Sequence, residues 1–247
     1  DRDVNFYPIF WKDLLLVRKK PWKFLASSMV MPVLYLVTFG WGLGRGVAMV
    51  GGGTYLDFVL PGLLVMSAMN NSFGPVSTSM NVSKLYTKTI EEVLVSPVSP
   101  WDIALGRSLM GLVRGLFSAG LLLIVGLLSG AHLRLSPSFL LVLCLTSFGF
   151  ASAAVAAAMV AKSHEDMSNF NSFVIVPMSF LAGTFFTPDK LPEPFHSMIL
   201  VYPLTHASML LRTLSAGHEP PLLSLLILVA YAALFFYLAG RMVKRAV

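Results

Sequence analysis

A chain of 247 residues that is 56% hydrophobic and 12% charged carries about half the charged share, roughly 25%, of soluble domains. A soluble core of this length needs a charged shell that is missing here, so the composition describes one membrane domain, residues 1–247, and excludes a second, soluble one. The net charge of +6 is divided among particular loops instead of gathered in one patch, which argues against nucleic acid as a partner.

Residues 1–23 are expected to form a cytoplasmic interfacial helix. Phe6, Phe10, Leu14 and Val17 recur at helical spacing while Lys12, Asp13, Arg18 and Lys19 take other positions, so the apolar face lies down and the basic groups meet anionic headgroups. Pro21 breaks this helix before the first apolar run. That run begins too late and is too long for a signal-peptide h-region, so no cleavable signal peptide is expected.

Six charge-free runs follow, at 24–44, 58–83, 115–133, 135–161, 167–188 and 220–240. A hydrocarbon core about 30 Å thick needs roughly 20 residues of helix, and backbone inside lipid must satisfy its own polar groups. The predicted fold is all-α, with transmembrane helices at 24–44, 58–80, 105–130, 137–161, 167–187 and 220–240. Thirteen basic residues fall before the first span, in alternate loops and after the last, against Arg45, Arg134, Lys190 and Arg212 in the other loops. This positive-inside pattern predicts that both termini are cytoplasmic.

The cytoplasmic loop 83–102 carries an apolar stripe, Tyr86, Ile90, Val93 and Leu94, with Lys84, Lys88, Glu91 and Glu92 largely off it. The spacing predicts a short amphipathic helix along the membrane, ended by Ser96-Pro97. Ser99, Pro100 and Asp102 then read as cap, first residue and third-position acid of the next helix. Arg107 can snorkel from that helix to the interface, whereas Arg114 lies deep enough to need a partner or a wet cavity. The pairs Gly111/Gly115 and Gly126/Gly130 would permit close helix approach. Ser136-Pro137 opens the fourth span, and Ser163 caps the fifth with Glu165 and Asp166 at its positive dipole end.

Segment 188–211 is the anomaly, because 194–211 is free of Asp, Glu, Lys and Arg yet contains Pro194, His196, Pro203 and His206. Counting it as a span would put the basic C-terminus outside. It is therefore expected to form short re-entrant helices that dip into the outer leaflet and return.

Nucleotide, metal and acyl-transfer signatures are missing from the sequence. No G-x-x-x-x-G-K-[ST] loop occurs, and Gly51-Gly52-Gly53 reads as a flexible turn. The five His form no ligand cluster, no G-x-S-x-G elbow is present, and Cys144 reads as a small core residue with no disulfide partner. No acidic residue falls centrally in a span, so a transporter of this kind must borrow its energy or need none. Asn70 and Asn71 lie near the middle of span two, and Asn169 and Asn171 begin span five, interleaved with Phe73, Phe170 and Phe173. Amides beside aromatic rings suit an amphipathic cargo, a lipid-linked glycan, a lipid or a hydrophobic drug. They equally suit hydrogen bonding between helices.

The order of parts resembles the ABC-2 family of exporter permeases over nearly the whole chain. The likeness rests on the stretch from Lys88 through Glu91-Glu92 to Pro97 and Ser99, and on Pro177, Leu181-Ala182-Gly183-Thr184-Phe185-Phe186-Thr187-Pro188, Leu191-Pro192 and Tyr202-Pro203-Leu204-Thr205-His206. It is particularly similar to the small permeases of nodulation-factor and drug-resistance exporters. The resemblance implies a homodimer in a bacterial inner membrane, docked on two copies of an ABC ATP-binding subunit that holds ATP and Mg; no cofactor or metal is expected in this chain. It implies a coupling helix carrying Tyr86, Lys88, Ile90, Glu91, Glu92, Val93, Leu94 and Pro97. Spans two and five would line the path with Asn70, Asn71, Phe73, Asn169, Phe170, Phe173 and Phe180. Gly183, Phe185, Pro188, Pro192, Tyr202 and Pro203 would form the outer gate. A passive channel, a gradient-driven carrier, or a membrane-embedded enzyme or scaffold are the alternatives.

Overall fold

The structure, a computed structural model, describes residues 7, 10, 11, 15, 30, 33, 34, 36–43, 54–88, 98–185, 192, 193 and 195–245. Among the described residues there are helices and no strand. Most of the predicted interfacial helix and first span lies outside them; Tyr7, Phe10, Trp11 and Leu15 are helical, and the Tyr7 ring stacks on Trp11 at 5.8 Å. The π-helical segment Leu36–Leu43 packs on the helix that follows.

Among the described residues four long helices make the body. We name them α1 (Tyr55–Leu85), α2 (Pro100–Leu128), α3 (Pro137–Val160) and α8 (Leu222–Arg245). Of these α2, α3 and α8 are long and apolar enough to cross a membrane. Between α3 and α8 lie α4 (His164–Phe170), a π turn (Asn171–Ile175), α5 (Val176–Leu181), α6 (Phe195–Ile199) and α7 (Pro203–Ser215). α3 is central, packing against α1, α2 and α8, while α7 closes one end of the bundle against α1, α3 and α8.

Helix starts follow local chemistry. Ser136 Oγ accepts from the Phe139 N–H at 3.2 Å, and Ser163 Oγ from that of Asp166 at 3.0 Å. Asp166 Oδ2 in turn accepts from the Lys162 and Ser163 N–H groups at 2.8 and 3.2 Å. At Ser99 the side chain accepts from Trp101 N at 3.3 Å, while the Asp102 N–H goes to the Ser99 carbonyl. The π turn precedes Pro177, which has no N–H to return to the preceding turn and whose ring crowds it.

Small residues bring α1, α2 and α3 together. A Cβ on Gly111 would meet Ala151 and the Ser72 carbonyl, and one on Gly115 would fall 2.5 Å from Ser147 Oγ and 2.8 Å from the Ala68 carbonyl. Ser67 and Ser118 hydroxyls pair at 2.8 Å, and Ser152 donates to Ser108 at 2.9 Å. Gly126 seats Leu60, but Gly130 packs on nothing; at φ +93° it turns the chain out of α2. Gly115→Ala is therefore expected to destabilise the folded chain by about 1–3 kcal/mol through overpacking. Gly120→Ala, where nothing lies within 4 Å of the added carbon, should gain up to about 1 kcal/mol of helix propensity. Unfolding of both variants in one detergent checks the pair, and equal stability would contradict the packing argument.

Candidate functional site

At the end of the bundle predicted to be cytoplasmic, Lys84 Nζ donates to the carbonyls of Met159 and Ala161 at 2.6 and 2.7 Å. Those are unpaired acceptors at the C-terminus of α3, where the helix dipole favours a cation. Trp101 sits where a Gly240 side chain would be, against Phe236 and Tyr237. α1 runs on to Leu85, with Tyr86 as its exposed cap and Lys88 at φ 51°. Tyr86 and Lys88 therefore form the turn that leaves α1, in place of the first turn of a separate helix predicted there. Ile90, Glu91, Glu92, Val93, Leu94 and Pro97 lie outside the described residues.

The predicted path residues divide by burial. Asn70 is exposed on α1, whereas Asn71 is half-buried and donates to the Ser67 carbonyl at 3.0 Å. Phe73 is buried and stacks on Phe170 at 5.7 Å, so its ring braces α1 against α4 and does not face outward. Asn169 and Asn171 are exposed, as is Phe173 at 77%. Phe180 is exposed and stacks on half-buried Phe185 at 6.0 Å. The resemblance grouped these residues along one path; the structure separates the outward-facing Asn70, Asn169, Asn171 and Phe173 from the braced Phe73.

At the opposite end Gly183 adopts φ +75°, a conformation open to glycine, and turns the chain out of α5. Its carbonyl accepts from Ser208 at 3.4 Å, and the next carbonyl, that of Thr184, accepts from Arg212 Nη2 at 2.7 Å. The same guanidinium donates through Nε to the Phe58 carbonyl at 3.1 Å and lies 4.0 Å over the Phe58 ring. Gly62 leaves the room, since a Cβ there would fall 2.7 Å from the Thr184 oxygen. Arg212 thus joins α7, α1 and the end of α5, a role with no local sequence signal.

His206, in the segment expected to be re-entrant, is buried, with Nε2 at 2.9 Å from the Leu200 carbonyl and Nδ1 at 3.3 Å from Ser224 Oγ. Tyr202 and Pro203 cap and open α7, and the Pro192 carbonyl accepts from the Phe195 N–H at 3.0 Å. Pro188 lies outside the described residues. Exposed Glu193 accepts from Ser197 Oγ at 2.8 Å; that bond, with His196 beside it, holds the carboxyl below its usual range. Asp57 Oδ1 accepts from the His132 N–H at 2.6 Å and Oδ2 from that of Thr54 at 3.1 Å, tying the start of α1 to the loop after α2.

The chain is 28% identical over 224 residues to the inner membrane transport permease YadH of Escherichia coli (strain K12), covering 90% of this chain and 87% of the relative. Nodulation protein J of Rhizobium meliloti (strain 1021) is 27% identical over 244 residues, covering 98% and 93%. Nodulation protein J of Rhizobium leguminosarum bv. viciae is 26% identical over 215 residues, covering 87% and 83%. No solved structure matches the chain. The ABC-2 type transporter family model matches residues 5–214, across α1 and the Gly183–Arg212 junction, and the chain belongs to that family, as a membrane transport permease.

Proposed function

We propose that the chain is the membrane subunit of an ATP-driven exporter that moves an amphipathic substrate, a lipid-linked glycan, a lipid or a hydrophobic drug, outward. Two copies pair in a bacterial inner membrane, each with six spans and both termini cytoplasmic. ATP and Mg are held by two separate ATP-binding subunits; this chain performs no hydrolysis and carries no cofactor. Loop 83–102, with Ile90, Glu91, Glu92, Val93, Leu94 and Pro97, meets the ATP-binding subunit. Gly183, Phe185, Pro188, Pro192, Tyr202 and Pro203 frame the outer exit.

The observation that carries this reading is the outward-facing set of amides, Asn70 on α1 with Asn169 and Asn171 at the start of span five. An unsatisfied polar group facing hydrocarbon costs several kcal/mol, so such a face needs a second protomer or a wet path over it. Closed two-fold symmetry would bring the same patch together from both copies.

The test is reconstitution of the chain with its ATP-binding subunit in vesicles loaded with candidate cargo. Outward flux that requires ATP supports the reading, and flux that proceeds equally without the ATP-binding subunit would indicate a channel or a gradient-driven carrier. In a Cys144→Ala background Asn70→Cys is expected to crosslink between protomers, while Phe73→Cys, buried within its own chain, should not. No crosslink at Asn70 in any nucleotide state would remove α1 from the symmetry axis.

A further inference from the structure

A cavity of about 550 Å³ opens between α3, α4 and α8, within the 300–1,000 Å³ range of small-molecule sites. Its body is apolar. Ala153, Ala156 and Ala157 recede on α3, opposite Phe235, Leu238 and Met242 on α8, and Phe170 forms part of its wall. The Phe170 ring is itself held by its stack on Phe73. Residues recurring three and four apart share a helix face, so this is one continuous furrow along both helices.

The polar mouth lies at the end where Lys84 caps α3. Exposed Lys162 and Asp166 line it. Exposed Arg241 and Arg245 stand three residues beyond the lining Leu238 and Met242 respectively, and so continue the same strip of α8. Asp166 is the carboxylate in the lining, and its Oδ2 is engaged by the Lys162 and Ser163 N–H groups. Neighbouring Glu165 is exposed in the same first turn. Three cations around the mouth outnumber these two acids.

We infer that this furrow is a binding site for an anionic phospholipid of the adjoining leaflet, one acyl chain lying between α3 and α8 and the phosphate meeting Lys162, Arg241 and Arg245. An apolar trough beside lipid is filled most readily by an acyl chain, and basic pockets between helices at the cytoplasmic face recruit anionic headgroups. Its lining holds none of the exposed amides, although Phe170 in its wall stands between Asn169 and Asn171 and is itself one of the predicted path residues. The site requires only that the chain sits in a membrane and stands whether or not export is driven by ATP.

The experiment places the full-length chain in nanodiscs of phosphatidylcholine containing a minority of phosphatidylglycerol, one acyl chain of which carries a photoactivatable diazirine. Labelling is expected on residues 153–161 and 235–242, and native mass spectrometry should retain phosphatidylglycerol over phosphatidylcholine. Lys162→Gln, an exposed change that leaves the fold intact, should weaken retention about fivefold, and Arg245→Gln likewise. Ala157→Trp should abolish labelling of the furrow while labelling elsewhere persists. Equal retention of both lipids, labelling unaffected by Ala157→Trp, or crosslinking of Ala157→Cys to a second copy or another stretch of the chain would each overturn the assignment.

Discussion

Arg212→Met is expected to destabilise the chain by about 3 kcal/mol or more, because hydrogen bonds from a charged donor contribute about 1.5–3 kcal/mol each and at least two are lost together. The guanidinium serves the Phe58 and Thr184 carbonyls and covers the Phe58 ring, and methionine supplies apolar volume with no donor. Arg212→Lys keeps the charge but not the planar fork that reaches two elements at once, so it should recover only part of the loss. Gly62→Ala should reproduce the effect from the other side, by pushing a carbon to 2.7 Å from the Thr184 oxygen. Denaturation of the purified chain in detergent measures all three. An Arg212→Met protein that unfolds with wild-type stability would show that the junction is incidental.

Function should follow stability at this position. The turn at Gly183 and Thr184 is held from α7 by Ser208 and Arg212 and against α1 by Phe58 and Gly62. Loosening it frees the end of α5 from the rest of the bundle, and transport is expected to fall even where protein still accumulates.

Asn70→Trp is expected to lower transport more than tenfold while the complex continues to hydrolyse ATP. Asn70 is exposed on α1 and makes no packing contribution comparable to that of Phe73, so an indole there should leave the protomer's own stability within about 0.5 kcal/mol. Two-fold symmetry would then place two indoles at one seam, where added bulk obstructs passage without touching the subunit that binds nucleotide. Phe73→Ala is the contrasting variant. It removes a buried ring stacked on Phe170 and should cost about 3–5 kcal/mol of stability. Transport and ATP hydrolysis measured on the same reconstituted sample separate the two effects. Normal transport by Asn70→Trp would make Asn70 a bystander.

Several features were legible because their chemistry is local. Ser136 and Ser163 cap the helices they were expected to cap, since a cap requires only a side-chain oxygen two or three residues from the N–H groups it satisfies. Gly111 and Gly115 face neighbouring helices for an equally local reason, a missing Cβ at one-turn spacing. Other boundaries lie beyond the charges that bound a charge-free run. α1 starts at Tyr55 and runs to Leu85, past the charge-free run on both sides. Its Asp57 and Lys84 are accommodated by the His132 N–H and by the carbonyls at the end of α3, both distant in sequence.

By itself the sequence determined that this is an all-helical membrane protein, because hydropathy and capping act over a few residues, and its ordered motifs carried the family. Only the tertiary structure decided which side chains look outward. Asn70 and Phe73 are three residues apart on one helix, yet the first is exposed and the second buried against Phe170. The tertiary structure also decided that Arg212, read from its loop as one more external charge, spans 154 residues of sequence to reach Phe58. The physical reason is that burial and hydrogen-bond partnership are properties of surfaces brought together from distant segments, and no single segment encodes them.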